Sequence, residues 1–276
     1  MTEPTHNTLA WHGGKISPVK DLCVSVEDAS LEHGMGLFES IRAENGRVPL
    51  LARHLERIEK SAVELGLGLD IQQLPDQDTI SELLAKSGLT KGSARLRLVL
   101  TGGARGEAGQ VWITAHALGQ FECDNLKLSA EFWPVDERDL LIRYKTLNYW
   151  LRRRAYEDAV VQGCHEMLSQ DSHGNLWEGA RSAVFLVSNG NLMAPLADGP
   201  MLASIAAEVV RELANEVGIS LISKTLRESD VLGADEIILA NAVRGVMSVG
   251  PFGHSRCATP GPVALSLRKI WQNRYF

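Results

Sequence analysis

One lysine and the residues behind it raise the question of chemistry in this chain. In "YKTLNYWLRRR", Lys145 stands where an extended segment gives way to a helix, Tyr149 follows four residues on, and Arg152, Arg153 and Arg154 come after it. Three readings compete for such a stretch: a basic patch for nucleic acid, an ordinary solvated helix start, or a reactive amine beside a ring-shaped cofactor. Consecutive helix positions fan around the axis rather than forming one stripe. The arginine triplet therefore reads as solvated or interface helix surface, not as an element that reads nucleic acid.

A buried lysine with a lowered pKa can attack a carbonyl and form a Schiff base, which is how pyridoxal phosphate (PLP) enzymes hold their cofactor. That chemistry needs more than the amine. An acid must keep the pyridine nitrogen protonated, an arginine and helix-start N–H groups must hold the phosphate, and a donor must meet the ring's phenolic oxygen. Spacing alone does not separate such a lysine from a solvated cation.

Other chemistries find no support in the sequence. There is no G-x-x-x-x-G-K-[ST] loop, no H-E-x-x-H and no G-x-S-x-G elbow. "CHEML" offers His165 and Glu166 without a second histidine at helical spacing, and "GGARG" lacks the dinucleotide fingerprint. The 276 residues carry a formal net charge of −6, which favours neither nucleic acid nor an anionic membrane surface. No apolar run approaches the roughly 20 residues that a bilayer requires. The opening "MTEPTHNTLAWHGG" shows no secretory leader, and the four cysteines are widely spread, so a reduced, cytoplasmic protein is expected.

The elements that must position these residues alternate between strand and helix. "LFESIRAENGRVPLL" reads as a hairpin turning on Asn45-Gly46. "HLERIEKSAVELGLG" puts Leu55, Ile58, Ala62 and Leu65 on one helical face, and "DTISELLAKSG" reads as a second helix. In "SARLRLVLT", Ala94, Leu96, Leu98 and Leu100 alternate with Arg95 and Arg97, the pattern of a half-buried strand. "VWITAHAL" is another strand, and periodicity lapses over Gly119–Asn125, as in a linker. Beyond it come a helix from about Asn148 to Gln162, hairpins over "EMLSQDSHGNLWEG" and "SAVFLVSNGNLMAP", and a helix near Leu202–Val217. Strands "ISLISKTL" and "DEIILAN" and a terminal helix "VALSLRKIWQNRY" follow. Hairpins dominate, which predicts an α+β chain with mainly antiparallel sheets.

Five short motifs, "GLFESIR", "HLERI", "KTLNY", "LWEG" and "MLASIAAEVV", occur in an order that resembles the class IV aminotransferase family. This is the fold type IV PLP group that includes branched-chain and D-amino-acid aminotransferases and aminodeoxychorismate lyase. The resemblance runs from about Asp28 to about Val249. It implies a small N-terminal α/β domain over residues 1–118, a linker over 119–125, and a larger domain over 126–276, mainly antiparallel, barrel-like and carrying the PLP lysine. It also implies a homodimer. Carried onto this sequence, it makes Lys145 the Schiff-base lysine and proton shuttle, and Glu178 the partner of the pyridine nitrogen. Arg57 becomes the phosphate clamp and Tyr149 the donor to the phenolic oxygen. Ile205 and Ala206 become the helix-start amides at the phosphate, with Asn241 and Ala242 a second phosphate-binding turn.

Each role has a plainer rival: for Glu178 a solvated hairpin residue, for Arg57 an exposed helix arginine paired with a nearby glutamate, for Tyr149 a core tyrosine. Two positions depart from the family pattern. Ser204-Ile205-Ala206 replaces the usual Gly-Ile-Thr, and Ala183 stands where an asparagine is frequent. The glycine-rich "TGGARG" loop resembles that of lyases and D-amino-acid enzymes; Arg105 on it, or Arg97 on the preceding strand, could bind a substrate carboxylate, and Ser40 on the hairpin could face the substrate. Surface solvation is the rival for both arginines, and for Arg97 it is favoured. The expected reaction is transamination of an amino acid. A lyase converting aminodeoxychorismate to 4-aminobenzoate and pyruvate stands close behind, and a PLP-binding relative without turnover is the third reading.

Overall fold

The computed structural model describes residues 8–255 and 257–276. Residues 1–7, the head of the segment expected to hold no leader, lie outside the described residues. The chain divides into two compact units. The first runs to Gln120 and takes in Tyr144–Asn148 and Tyr275; the second comprises Phe121–Arg143, Tyr149–Arg274 and Phe276.

In the first unit a hairpin of β1 (Leu9–His12) and β2 (Lys15–Pro18) turns on Gly13-Gly14, both at positive φ. A short helix α1 (Ala29–His33) leads into β3 (Gly36–Glu44), then come α2 (Leu51–Glu64) and α3 (Gln77–Lys86), then β4 (Ser93–Thr101) and β5 (Val111–Ala117). The strands form one sheet in the order β2-β1-β5-β4-β3. Alternation decides its faces. Leu37, Ile41, Leu96, Leu98, Leu100 and Ile113 go into the core against α2 and α3, each contributing about 1.5–3 kcal/mol by leaving water. The arginines of β4 alternate with these leucines, as the sequence predicts.

The expected hairpin after β3 is only half realised. Asn45 and Gly46 have φ of 48° and 79°, the tight turn that the pair favours. The returning arm makes one bridge, Glu44 to Arg47, before α2 starts at Leu51. β3 instead pairs along its whole length with β4, from Gly36↔Thr101 to Glu44↔Ser93.

The second unit opens with β6 (Trp133–Pro134), α4 (Trp150–Val161), β7 (Leu168–Gln170) and β8 (Leu176–Gly179). β9 (Ala183–Ser188) and β10 (Asn191–Ala194) form the predicted hairpin on Asn189-Gly190. There follow α5 (Ile205–Glu216), β11 (Leu221–Ser223), α6 (Glu228–Leu232), β12 (Glu236–Asn241), β13 (Gly245–Val249) and α7 (Pro262–Tyr275). The sheet runs β11-β10-β9-β8-β7-β6, and β12 branches from β9 to pair with β13. Most pairs are antiparallel; β10–β11 and β6–β7 are parallel. The α+β class with mainly antiparallel sheets is what the structure has.

The Lys145 segment differs from its expected place on the C-terminal side. Tyr144–Asn148 belongs with the first unit because it lies along β3: the Phe38 N–H donates to the Lys145 carbonyl at 2.9 Å, and the Leu147 N–H to the Gly36 carbonyl at 2.9 Å. Gly36 makes the approach possible. A Cβ there would sit 2.6 Å from Leu147 Cδ1 and 2.7 Å from the Leu100 carbonyl oxygen.

Candidate active site

In the first unit the amine and a guanidinium meet the same ring. Lys145 has its main chain fixed on β3 by the bonds just described, and its Nζ stands 4.6 Å from the centroid of the Phe38 ring. Arg97 covers Phe38 as well, with Cζ 3.9 Å from the centroid. Ser40, half-buried, is the register partner of Arg97 across β3 and β4. The solvated rival for Arg97 thus gives way to a ring contact. Arg105 lies exposed in the loop after β4 and makes no hydrogen bond or ion pair among the described residues.

Arg57 belongs to a buried cluster. Its Nε donates to Glu39 Oε1 at 2.7 Å and its Nη2 to Glu39 Oε2 at 2.5 Å, while His54 Nδ1 lies 2.7 Å from Oε2. Glu39 and His54 are each 1% exposed. Burial works against the charge of Glu39, yet Arg57 and the His54 hydrogen bond outweigh it and hold the carboxyl at about 2. Burial pushes His54 below its ordinary value, and the charges of Arg57 and Lys145 push the same way, against Glu39. With Glu39 ionised, a neutral His54 donates its Nδ1 hydrogen to the carboxylate. Its Nε2 is buried without a hydrogen-bond partner among the described residues. The plain reading of Arg57 as paired with a glutamate holds as far as the pairing goes, but the pair is sequestered rather than exposed.

The sequence contains a signal for this cluster that motif reading passes over. Glu39 shares the register of Leu37 and Ile41, so alternation alone puts an acid on the buried face of β3. His54, three residues after Leu51 and four before Ile58, lies on the buried stripe of α2.

The second unit carries an acid, a phenol and two sets of amides. Glu178 on β8 is 4% exposed and Arg152 on α4 is 6% exposed, which corrects the expectation that the arginine triplet is all solvated surface. Arg153 and Arg154 do face solvent and pair with Glu157 and Asp158 one turn on. Arg152 shares the buried face of α4 with Ala155 and Ala159, and its Nη2 donates to Glu178 Oε1 at 2.5 Å. The Leu202 N–H donates to that same oxygen at 2.9 Å. Glu178 Oε2 accepts no hydrogen bond among the described residues. Tyr149, half-buried, caps the start of α4, with Arg152 Cζ 5.7 Å from its ring centroid.

Ser204 is the N-cap of α5 and its hydroxyl accepts from the Ala207 N–H at 3.2 Å. The N–H groups of Ile205 and Ala206 find no acceptor among the described residues, as expected of a first turn that can receive an anion. The missing family hydroxyl at Ala206 leaves these amides in place. At the end of β12, Asn241 Oδ1 accepts from the N–H groups of Val243 at 3.1 Å and Arg244 at 2.8 Å, so its side chain shapes the turn that contains Ala242.

Each part of this donor set suits one part of PLP: a lysine amine for the aldehyde, an acid with an open oxygen for the pyridine nitrogen, a phenol for the phenolic oxygen, and unpaired helix-start amides with an arginine for the phosphate. No group of metal-ligating side chains occurs among the described residues.

Comparison with known proteins agrees. The model of the amino-transferase class IV family matches residues 36–250. The chain is 31% identical over 248 residues to a putative branched-chain-amino-acid aminotransferase of Methanocaldococcus jannaschii, covering 86% of this chain and 85% of that one. It is 26% identical to the aminodeoxychorismate lyase of Bacillus subtilis, covering 85% and 83%. The crystal structure of a branched-chain aminotransferase from Thermoproteus uzoniensis with norvaline superposes with a TM-score of 0.87 at 24% identity, over 97% of this chain and 96% of that one. This chain belongs to the class IV aminotransferase family, whose cofactor is pyridoxal phosphate.

Proposed function

We propose that this enzyme transaminates a branched-chain amino acid, with Lys145 as the amine that carries the cofactor. The observation that supports this best is the seating of Lys145, a cation over the Phe38 ring with its main chain held by β3. Similarity to the Methanocaldococcus jannaschii protein supports the substrate class.

When bound, PLP supplies an electron sink for the pair released at the substrate Cα. Lys145 Nζ would serve as the base that takes the substrate Cα proton and holds it for return. Glu178 keeps the proton on the ring nitrogen, and Tyr149 donates to the phenolic oxygen. Arg57, the Ile205 and Ala206 amides and the Asn241-Ala242 turn hold the phosphate. Arg97 receives the substrate carboxylate, with Arg105 and Ser40 as further contacts. A homodimer in a reduced, cytoplasmic setting belongs to the same proposal. No helix among the described residues is long and apolar enough to cross a membrane.

Similarity to the Bacillus subtilis lyase supports a second reading, cleavage of aminodeoxychorismate. One set of measurements separates the readings. Purified protein should show a cofactor absorbance band that borohydride abolishes and Lys145→Ala eliminates. Leucine, isoleucine or valine should convert that band in a half-reaction. Release of 4-aminobenzoate and pyruvate without a keto-acid acceptor would establish the lyase instead. A persistent band with neither reaction would identify a binding protein.

A further inference from the structure

The ion pair between Arg152 and Glu178 lies inside the second unit, and its arginine has no role in the proposed function. Its geometry is specific. Arg152 Nη2 donates to Glu178 Oε1 at 2.5 Å and to the Ile142 carbonyl at 3.2 Å, one hydrogen of the same nitrogen for each. The guanidinium also faces the Trp133 ring, with Cζ 5.2 Å from its centroid. The Glu178 main chain is held too, since its N–H donates to Ser169 Oγ at 3.1 Å.

We propose that Arg152 is a positioning residue for the cofactor: it fills Glu178 Oε1 and leaves Oε2 as the one open acceptor for the ring nitrogen. This rests on the reading of Glu178 as the partner of that nitrogen. Three observations carry it. Glu178 is buried, so its carboxylate needs a counter-charge and hydrogen-bond partners close by. The Arg152 guanidinium supplies that counter-charge in direct contact. With Oε1 already accepting from both Arg152 and the Leu202 N–H, rotating the carboxylate would break two hydrogen bonds, so its open oxygen is fixed in direction.

Arg152 is itself suited to the task. Burial alone would lower its pKa, but Glu178's charge and hydrogen bond, with smaller contributions from Tyr149 and Glu166, raise it above the ordinary value. The cation is permanent.

The test is a double-mutant cycle read by PLP affinity and by the absorption spectrum of the bound cofactor in the full-length protein. The variants are Arg152→Met, Glu178→Gln, the double variant and Arg152→Lys, with thermal melting as a check on folding. Arg152→Met should weaken PLP binding about tenfold or more and shift the bound spectrum when Glu178 is present. In the Glu178→Gln background it should change affinity by less than about twofold, because there is no carboxylate to hold. Arg152→Lys, which keeps the charge, should recover most of the affinity, and it keeps the question open to measurement if Arg152→Met does not fold. Equal losses in both backgrounds, or none in either, would overturn the role of Arg152. If Glu178→Gln alone alters neither affinity nor spectrum, it is the reading of Glu178 that falls, and this inference with it.

Discussion

Arg57 grips Glu39 with two hydrogen bonds, Nε to Oε1 at 2.7 Å and Nη2 to Oε2 at 2.5 Å, in a cluster closed by His54. The side chain proposed to meet the cofactor's phosphate is thus fixed from behind by a buried acid. Strand alternation and the helical stripe bring the two together: Glu39 is the one acid facing the core on β3, and Arg57 lies one turn beyond His54.

Replacing that acid should be costly. Glu39→Gln leaves Arg57 without its counter-charge and should destabilise the fold by about 3 kcal/mol or more, read as a lower denaturation midpoint. Because the folded pKa of Glu39 is held at about 2 against an ordinary 4.5, its contribution is complete above pH 4.5 and is lost as pH falls towards 2. Acid unfolding of the wild type should therefore be steeper in that window than that of Glu39→Gln.

His54 acts in a different pH window. Burial holds it neutral in the fold, so the unfolded chain binds the proton more readily. Its contribution to stability is complete above the ordinary histidine value of 6.5 and declines as pH falls below it. His54→Phe should flatten the pH dependence of the urea midpoint between about pH 7 and 5; an unchanged slope would show that the imidazole is not held neutral.

Gly36→Ala tests the seating of Lys145. The new Cβ would meet the Leu100 carbonyl at 2.7 Å, and main chain cannot yield as a flexible side chain does. A loss of about 1–3 kcal/mol and weaker retention of PLP during dialysis are expected together.

Ser204→Ala removes the hydroxyl that accepts from the Ala207 N–H. Stability should fall by about 1 kcal/mol, and Ser204→Gly should cost only a few tenths. Thermal melting of the three proteins checks the order.

Local grammar makes much of this legible. The Asn-Gly turns, the glycines that end α2, α3, α4 and α5, and the alternation in β4 each depend on a few neighbouring residues, and all are in the structure. The first hairpin, β1–β2, escapes such a reading because its arms are four residues each, too short for alternation to register. β13 escapes it for a related reason: it is buried along its whole length, so no alternation marks it. Within the candidate site, the order of motifs points to Lys145, Glu178 and Arg57 but not to what holds them.

By itself the sequence determined most element types, the family and the cofactor, since periodicity, turn chemistry and motif order are properties of neighbouring residues. Tertiary structure alone decided that Arg152, one of three consecutive arginines, is the one that is buried, and that it pairs with an acid 26 residues on. It also decided that the Lys145 segment lies along β3 rather than with the chain that follows it. A charge is buried only where another element supplies its counter-charge, and no local pattern encodes which element that will be.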